Sequence, residues 1–354
     1  MRVLVNAVRP LRGGIAVYLD ELVAGLAADP EVELLVACRP EDSFRCPAEA
    51  LHRFELKAWP RGILQERETL RRLCRDLRPD VLFSPIPLPP GRSPCASVVT
   101  VHDLNFKFIP VGFWRAKYRH VSFRSMAHNA TALIAISEHT RDVLLEHYPK
   151  AAGKTHVVWN GFRAPDPLPE LTADLSDAPY LLTFAHWPHK NAQAAVEVLA
   201  ELNRERPRLR LQVVGASDEY LRQLERSATE LGVGGRLDRV RPPTADALYE
   251  AYAGALGLVF MSEYEGFGLP VFEALALGCP VVVSDRGALP EISSGHAEVV
   301  GLHDARAAAA HFRRHLEDAE WSLERRRRGR DYVLGWSWSR TVEKTTEVLR
   351  QVAG

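Results

Sequence analysis

RAPDPLPELTADLSDAP, residues 163–179, holds four prolines (Pro165, Pro167, Pro169, Pro179) and four acids, and no apolar period survives it. Proline removes a backbone donor and fixes φ, so such a stretch reads as a linker. On its amino-terminal side short apolar runs recur: MRVLVNAV (1–8), VELLVAC (32–38), DVLFSP (80–85), SVVTVHD (97–103) and ALIAIS (132–137). Between them lie helix-period stretches. One follows Gly13-Gly14 and carries Val17, Leu19, Leu22, Val23 and Leu26; others cover 62–78, about 112–128 and about 138–148. On the carboxyl-terminal side the alternation restarts with YLLTFA (180–185), LRLQVVG (209–215), ALGLVFM (255–261), PVVVSD (280–285) and HAEVVG (296–301). Helices are expected from about 190, up to about 231, from Pro270 and over the terminal region. Strand–helix alternation of this kind predicts parallel α/β sheets, one on each side of the linker. Open α/β sheets bind ligands at the carboxyl ends of their strands, and two such units face to face would place a ligand in the cleft between them.

The chain has 354 residues, enough for two domains, and 46% hydrophobic residues, an ordinary globular share. Its 45 basic and 45 acidic residues cancel, which argues against a general nucleic-acid binder. Residues 1–165 carry 23 Lys+Arg against 17 Asp+Glu, and the remainder 22 against 28. The basic half suits anionic partners; mutual attraction of the halves is the plainer reading. Five cysteines with no paired spacing predict neither a disulfide framework nor a metal site. The opening residues are too briefly apolar for a signal peptide, and no run of about 18 apolar residues would span a membrane. A cytoplasmic location is expected.

Several motifs fail. AAGKT (151–155) lacks the glycine-rich cradle of a P-loop. There is no GxGxxG, no HExxH, and no Asp-x-Asp pair to chelate a divalent metal on a diphosphate. The informative segment is EYEGFGLPVFEALALG, residues 263–278. Pro270 falls where a helix starts and Gly278 where it stops. Gly266 and Gly268 permit close backbone approach, and the helix N-terminus beyond them suits a diphosphate. Glu265 lies in the loop and Glu273 one turn into the helix. Beside phosphate, such acids need hydroxyls to bind, which a sugar and a ribose supply; helix capping and a surface position are the plain alternatives.

Glu265 and Glu273 with GFGLP between them resemble the signature of the retaining glycosyltransferases of family 4, which have the GT-B fold. The resemblance continues through Gly13-Gly14, VHDLNF (101–106), AISEHTRD (135–142), NGF (160–162), HKN (189–191) and SDRGALPEI (284–292). It implies two Rossmann-like parallel-sheet domains across a cleft. Residues 1–163 would hold the acceptor, with a return helix over 337–354, and residues 164–336 would hold a nucleotide-sugar. Glu273 would bind ribose hydroxyls and Glu265 a sugar hydroxyl. Backbone N–H groups at Phe267, Gly268 and Leu269 would contact sugar or phosphate, and Lys190 would neutralise the diphosphate. Gly13 and Gly14 would admit the phosphates, and His102 would stand near the transferred sugar. Asn160 is a weaker candidate.

One position departs from the family. FAHWPHK (184–190) places Ala185-His186 where Gly-Arg is usual. An adjacent phosphate would raise the His186 pKa and make transfer depend on pH; otherwise His189 or Arg241 supplies the missing cation. The expected activity is metal-independent transfer from a nucleoside-diphosphate sugar, a co-substrate, with no cofactor. The acceptor stays open among glycan, lipid-linked sugar and small molecule. A GT-B epimerase, a pseudo-glycosyl coupling enzyme and a non-catalytic nucleotide-sugar binder are the alternatives. Segment 106–124, FKFIPVGFWRAKYRHVSFR, reads first as a core-facing helix with a basic outer face, and second as a peripheral membrane contact at the inner face. ERRRRGR (324–330) reads as one solvated helix face.

Overall fold

The computed structural model describes residues 1–9, 13–55, 57, 61–88, 91–171, 174–175, 177–241 and 244–354. Within the expected linker, residues 172, 173 and 176 lie outside the described residues. The chain forms two compact units, Met1–Gly161 with Ser337–Gly354, and Phe162–Trp336.

The first unit runs β1 (Arg2–Ala7), α1 (Gly14–Ala28), β2 (Glu33–Cys38), β3 (Leu51–Arg53), α2 (Arg61–Leu77), β4 (Val81–Ser84), β5 (Ala96–Val101), α3 (Phe113–Asn129), β6 (Ala132–Ala135), α4 (Glu138–His147) and β7 (Thr155–Val157). The seven strands are parallel, in the order β3-β2-β1-β4-β5-β6-β7, with Val3 opposite both Leu34 and Val81. β4 and β6 are buried at every residue, because helices cover both faces of a parallel sheet; hence their unbroken apolar runs. Strand order reverses between β1 and β4, which gathers the loops after β1, β4 and β5 at one carboxyl edge. Those loops carry Gly13, Pro85 and His102.

The second unit runs β8 (Tyr180–Phe184), α5 (Ala192–Leu202), β9 (Arg210–Val214), α6 (Asp218–Glu230), β10 (Leu237–Val240), α7 (Ala245–Ala253), β11 (Gly257–Phe260), α8 (Leu269–Ala276), β12 (Val281–Ser284), α9 (Leu289–Ser293), β13 (Glu298–Val300), α10 (Ala305–Glu317) and α11 (Ala319–Leu334). Six parallel strands take the order β10-β9-β8-β11-β12-β13, so the reversal lies between β8 and β11. The loops leaving those two strands carry His186, Lys190 and Glu265. The last helix, α12 (Trp338–Ala353), belongs to the first unit. It buries Trp338, Val348 and Leu349 among Leu22, Val23 and Leu26 of α1. Leu22, Leu26 and Leu349 are wholly inaccessible, and truncating any of them to alanine costs about 2–5 kcal/mol. No helix among the described residues is long and apolar enough to cross a membrane.

The helix expected from about 190 begins at Ala192, after a 3₁₀ turn over Pro188–Lys190 with Asn191 at φ +50°. Three expectations need correction. β10, α7 and α9 were not expected; each is short, and charged or glycine-rich flanks obscure its period. ERRRRGR is not one solvated face. Arg326 is 6% exposed and its Nε donates to the Gly278 carbonyl at 2.5 Å, where a cation suits the C-terminus of α8. Segment 106–124 does not turn all its aromatics inward: Phe123 is buried, but Phe113 and Trp114 are 72% and 67% exposed.

Candidate functional site

The loop that carries Glu265 is anchored by backbone bonds that leave little freedom. Glu263 N–H donates to the His189 carbonyl at 2.8 Å, and Ser262 Oγ donates to the same oxygen at 3.1 Å. The loop after β8 is thereby stitched to the loop after β11. On the other side Ala288 N–H donates to the Glu265 carbonyl at 3.0 Å. Gly287, with φ +61°, is needed there, since a Cβ would lie 2.6 Å from the backbone nitrogen and oxygen of Glu265.

This stitching brings Lys190 Nζ into a direct ion pair with Glu265 Oε1, across 75 residues of sequence. Both side chains are mostly buried, 18% and 12% exposed. Capping does not account for Glu265: α8 starts from Gly268 (φ +109°) with no side-chain cap. Its first turn contains no acid either, so the donors at its N-terminus are left to the backbone and to ligands. At the far end of α8, Gly278 takes φ +68° and closes the helix, as expected from its position.

Glu273 points from α8 to Tyr252 of α7, whose hydroxyl donates to Oε2 at 2.8 Å. Burial pushes the Glu273 carboxyl above its ordinary range, and the Tyr252 bond only partly offsets it. Burial, followed by the neighbouring carboxylate, likewise raises the Tyr252 phenol well above 10, so this hydroxyl keeps its proton. Glu273 is therefore not a surface residue. Its carboxyl is desolvated and bonded to Tyr252.

An aromatic floor joins these groups. Lys190 Nζ stands 5.2 Å from the Phe260 ring centroid. Phe260 meets Phe184 edge-on at 6.1 Å, and Phe184 meets Tyr252 at 6.1 Å. His186 stacks on Phe184 at 5.9 Å and 18°. The ring also lies directly over Gly215, where any Cβ would collide with it. Packing against Phe184 and Gly215 desolvates the imidazole although its outer edge is exposed. That desolvation, then the Lys190 charge, lowers its pKa below 6.5. The direction is opposite to the one a phosphate alone would give, so His186 is mainly neutral at pH 7. Arg241 does not join the cluster: it is 70% exposed, and its guanidinium lies 4.0 Å from Asp218 of α6. Gly266, Phe267 and Leu269 sit in and just after the loop, between the two acids. Among the described residues, no three His, Cys, Asp or Glu side chains are grouped to hold a metal ion.

In the first unit, Gly13 takes φ +58° and caps α1, whose first residue is Gly14 and whose first turn contains no acid. His102 follows β5. Its Nε2 lies 2.8 Å from the Pro85 carbonyl, which can only accept, so the proton is on Nε2 and Nδ1 is the acceptor. Tyr18 meets its ring edge-on at 4.8 Å. Burial drives the His102 pKa down to about 4. It is a neutral hydrogen-bonding group, not a cation. His102 lines a cavity of about 460 Å³ with Arg9, Phe106, Arg115, Tyr118 and Arg119. A larger groove of about 580 Å³ between α1 and α12 holds none of the candidate residues. Asn160 is 4% exposed, and its Oδ1 lacks a hydrogen-bond partner.

Sequence reasoning missed Tyr252, Phe184, Phe260 and Ser262. Only the SDRGALPEI block hinted at Gly287.

Comparison with known proteins matches each unit to a family. The model for Glycosyltransferase Family 4 matches residues 12–164, and that for Glycosyl transferases group 1 matches residues 176–332. An O-antigen chain mannosyltransferase B of Escherichia coli is 27% identical over 271 residues, covering 72% of this chain and 70% of its own. A GDP-mannose-dependent alpha-(1-6)-phosphatidylinositol monomannoside mannosyltransferase of Mycolicibacterium smegmatis is 23% identical over 381 residues, covering 99% and 98%. The sucrose-phosphate synthase structure from Thermosynechococcus elongatus has the same fold, with TM-score 0.79 at 21% identity over 99% and 98% of the two chains. Two matched families in sequence order, each on a parallel-sheet unit of this architecture, make the chain a glycosyltransferase that belongs to the GT-B enzymes of family 4.

Proposed function

We propose that the protein transfers a hexose, with retention of anomeric configuration, from a nucleoside-diphosphate sugar to a hydroxyl acceptor. The observation that carries this reading is the convergence of Lys190, Glu265 and Glu273 at the open start of α8, over the floor of Phe184, Tyr252 and Phe260. Lys190 is the mobile charge: it shares its ammonium between Glu265 and an incoming diphosphate. Backbone N–H groups at Phe267, Gly268 and Leu269 complete the anion site. Glu265 then turns to sugar hydroxyls and Glu273 to ribose hydroxyls. As the bond from C1 to the phosphate oxygen breaks, Lys190 and the helix terminus hold the developing negative charge. The acceptor oxygen attacks the same face of C1, and its proton passes to the departing phosphate oxygen. No protein nucleophile and no cofactor take part, and with Lys190 in place no divalent metal is required.

His102 provides a neutral hydrogen-bonding group in the acceptor unit, with Gly13 and Gly14 at the start of α1 for the phosphates. Arg241 we leave out of the donor site, because its described partner is Asp218. The GDP-mannose-dependent relative makes GDP-mannose the first donor to try. We place the enzyme in the cytoplasm, in contact with the inner membrane face through Phe113, Trp114 and the basic residues of α3. The test is release of nucleoside diphosphate from a donor panel in excess EDTA. We predict turnover within about twofold of the metal-supplemented rate. Complete loss in EDTA, restored by Mn²⁺ or Mg²⁺, would refute the metal-free mechanism, and a product without a glycosidic bond would refute transfer.

A further inference from the structure

Spacing along the chain pairs none of the five cysteines, but the fold brings two together. Cys74 lies in the last turn of α2 and Cys95 immediately before β5. Their sulfurs are 3.5 Å apart and share a hydrogen bond across 21 residues of sequence. Both are free thiols. A disulfide holds its sulfurs at ~2.05 Å, so an approach of about 1.5 Å closes the bond. Residues 91–95 are irregular, and the β4–β5 ladder begins only at Ala96, so Cys95 can follow Cys74 without breaking a strand pair.

The two thiols are not equivalent. Cys74 is 5% exposed and packs among Leu4, Leu70, Leu73 and Leu82. Cys95 is partly exposed, and its Sγ also lies 3.7 Å from Ser93 Oγ. The hydrogen bond from Cys74, which outweighs burial, and a second from Ser93 hold the Cys95 thiol below its ordinary range. The same bond and burial push the Cys74 thiol up. One sulfur is therefore accessible and favours the thiolate, while its neighbour is shielded and keeps a proton. Thiol–disulfide exchange needs this division between an attacking and a resolving thiol. Cys46, also partly exposed, is the contrast: burial, then Asp20 and Glu49, raise its thiol.

We propose that Cys74 and Cys95 form a reversible redox site whose oxidant is a small-molecule disulfide, with Cys95 attacking and Cys74 resolving. The Cys95 thiolate attacks one sulfur of the disulfide, whose S–S bond breaks and releases one thiolate. Cys74 then loses its proton and attacks the Cys95 sulfur of the mixed disulfide, releasing the second. The two cysteines give up two electrons, and the small disulfide leaves as two thiols. The new bond ties the end of α2 to the head of β5. Nearer its start, α2 is already held through Glu66, which binds Arg9 at 2.5 Å and Asn6 at 3.2 Å. The bond lies at the amino edge of the sheet, opposite the loops that carry Gly13, Pro85 and His102. It closes a loop of about 20 residues in the unfolded chain, so oxidation stabilises the first unit. This site is independent of the transfer reaction proposed above.

The test treats the full-length protein with oxidised glutathione and follows it by peptide mapping without reduction. The wild type is expected to form the Cys74–Cys95 linkage, with no lasting glutathione adduct, and to lose it in excess reduced glutathione. Cys74→Ala should instead accumulate glutathione on Cys95. Cys95→Ala should react at least tenfold more slowly than the wild type and leave Cys74 unlabelled. In the reduced wild type, iodoacetamide should modify Cys95 at least fivefold faster than Cys46. Oxidation should raise Tm by at least about 4 °C, with binding of nucleoside diphosphate to the second unit unchanged. Absence of the linkage in excess oxidised glutathione overturns the proposal and leaves the two thiols as core packing. Equal rates for wild type and Cys95→Ala overturn it as well. So does a fall in Tm on oxidation, or a linkage that forms as fast in denaturing urea as in the folded protein.

Discussion

In the second unit Lys190 is already held by Glu265 and Glu273 by Tyr252, whereas in the first unit Arg115 and Ser122 line a cavity with no protein partner among the described residues. The two regions use opposite strategies for polar groups. Internal pairing fixes geometry, so a ligand entering the second unit exchanges one partner for another and meets donors already oriented. Unpaired groups hold geometry less firmly but give up little to bind.

The comparison breaks most sharply at Lys190. If pairing in the second unit is poised for a leaving diphosphate, Lys190→Ala should lower kcat by roughly 10²–10³-fold, the loss typical of one preorganised charge. Donor affinity should fall less, because the helix terminus remains. Initial rates at saturating donor check this; a loss confined to KM would mean that Lys190 binds the ground state only.

Glu273 comes next, with two signs to separate. Glu273→Ala loses a charged acceptor for ribose hydroxyls, and donor affinity should fall roughly 10–150-fold by calorimetric titration. Glu273→Gln should also weaken the donor, but stabilise the ligand-free protein. Burial raises its folded pKa above the unfolded value, so ionising the carboxyl in the folded protein carries a desolvation cost that grows as pH rises from the unfolded toward the folded pKa. A neutral amide avoids it while still accepting from Tyr252. The expected gain is a rise in Tm of about 2–4 °C at pH 7, shrinking toward pH 4. A drop in Tm would mean that the carboxylate is structural.

The same comparison explains what could be read in advance. The parallel sheets followed from apolar runs such as ALGLVFM and PVVVSD, because burial on both faces leaves a mark on every residue. Glu265 and Glu273 were legible because glycines and Pro270 isolate them at a helix start. Their partners were not. Lys190 reaches Glu265 only through the carbonyl of His189, and a backbone acceptor has no residue signature. Tyr252 sits in ALYEAYA, where its spacing says only that α7 is amphipathic. β10, as LDRV, lacks an apolar run because it lies at the sheet edge, half-buried at each residue. On α3, aromatic and basic residues share the same turns, so periodicity could not tell that Phe123 turns inward while Phe113 and Trp114 stay out.

His186 offers the smallest and most discriminating effect. It occupies the position where an arginine would give the diphosphate a second permanent cation. Stacking on Phe184 and contact with Gly215 desolvate it, and Lys190 repels its proton, so its pKa lies below 6.5 in the ligand-free protein. A bound diphosphate pulls the other way, but must first overcome both effects. If the depressed value prevails, the wild-type rate should be flat from pH 7 to 9 as far as His186 is concerned, and should rise only below about pH 6.5 as the imidazole gains its proton. His186→Arg should then remove that acidic rise and tighten donor binding several-fold at pH 8, where the histidine is neutral and the guanidinium is not. If the phosphate prevails, the wild-type rate instead declines between pH 7 and 9, and the arginine variant matches it only at the acidic end. Coincident profiles for the two proteins would show that His186 is packing for Phe184 and that Lys190 with the α8 terminus stabilises the leaving group without it.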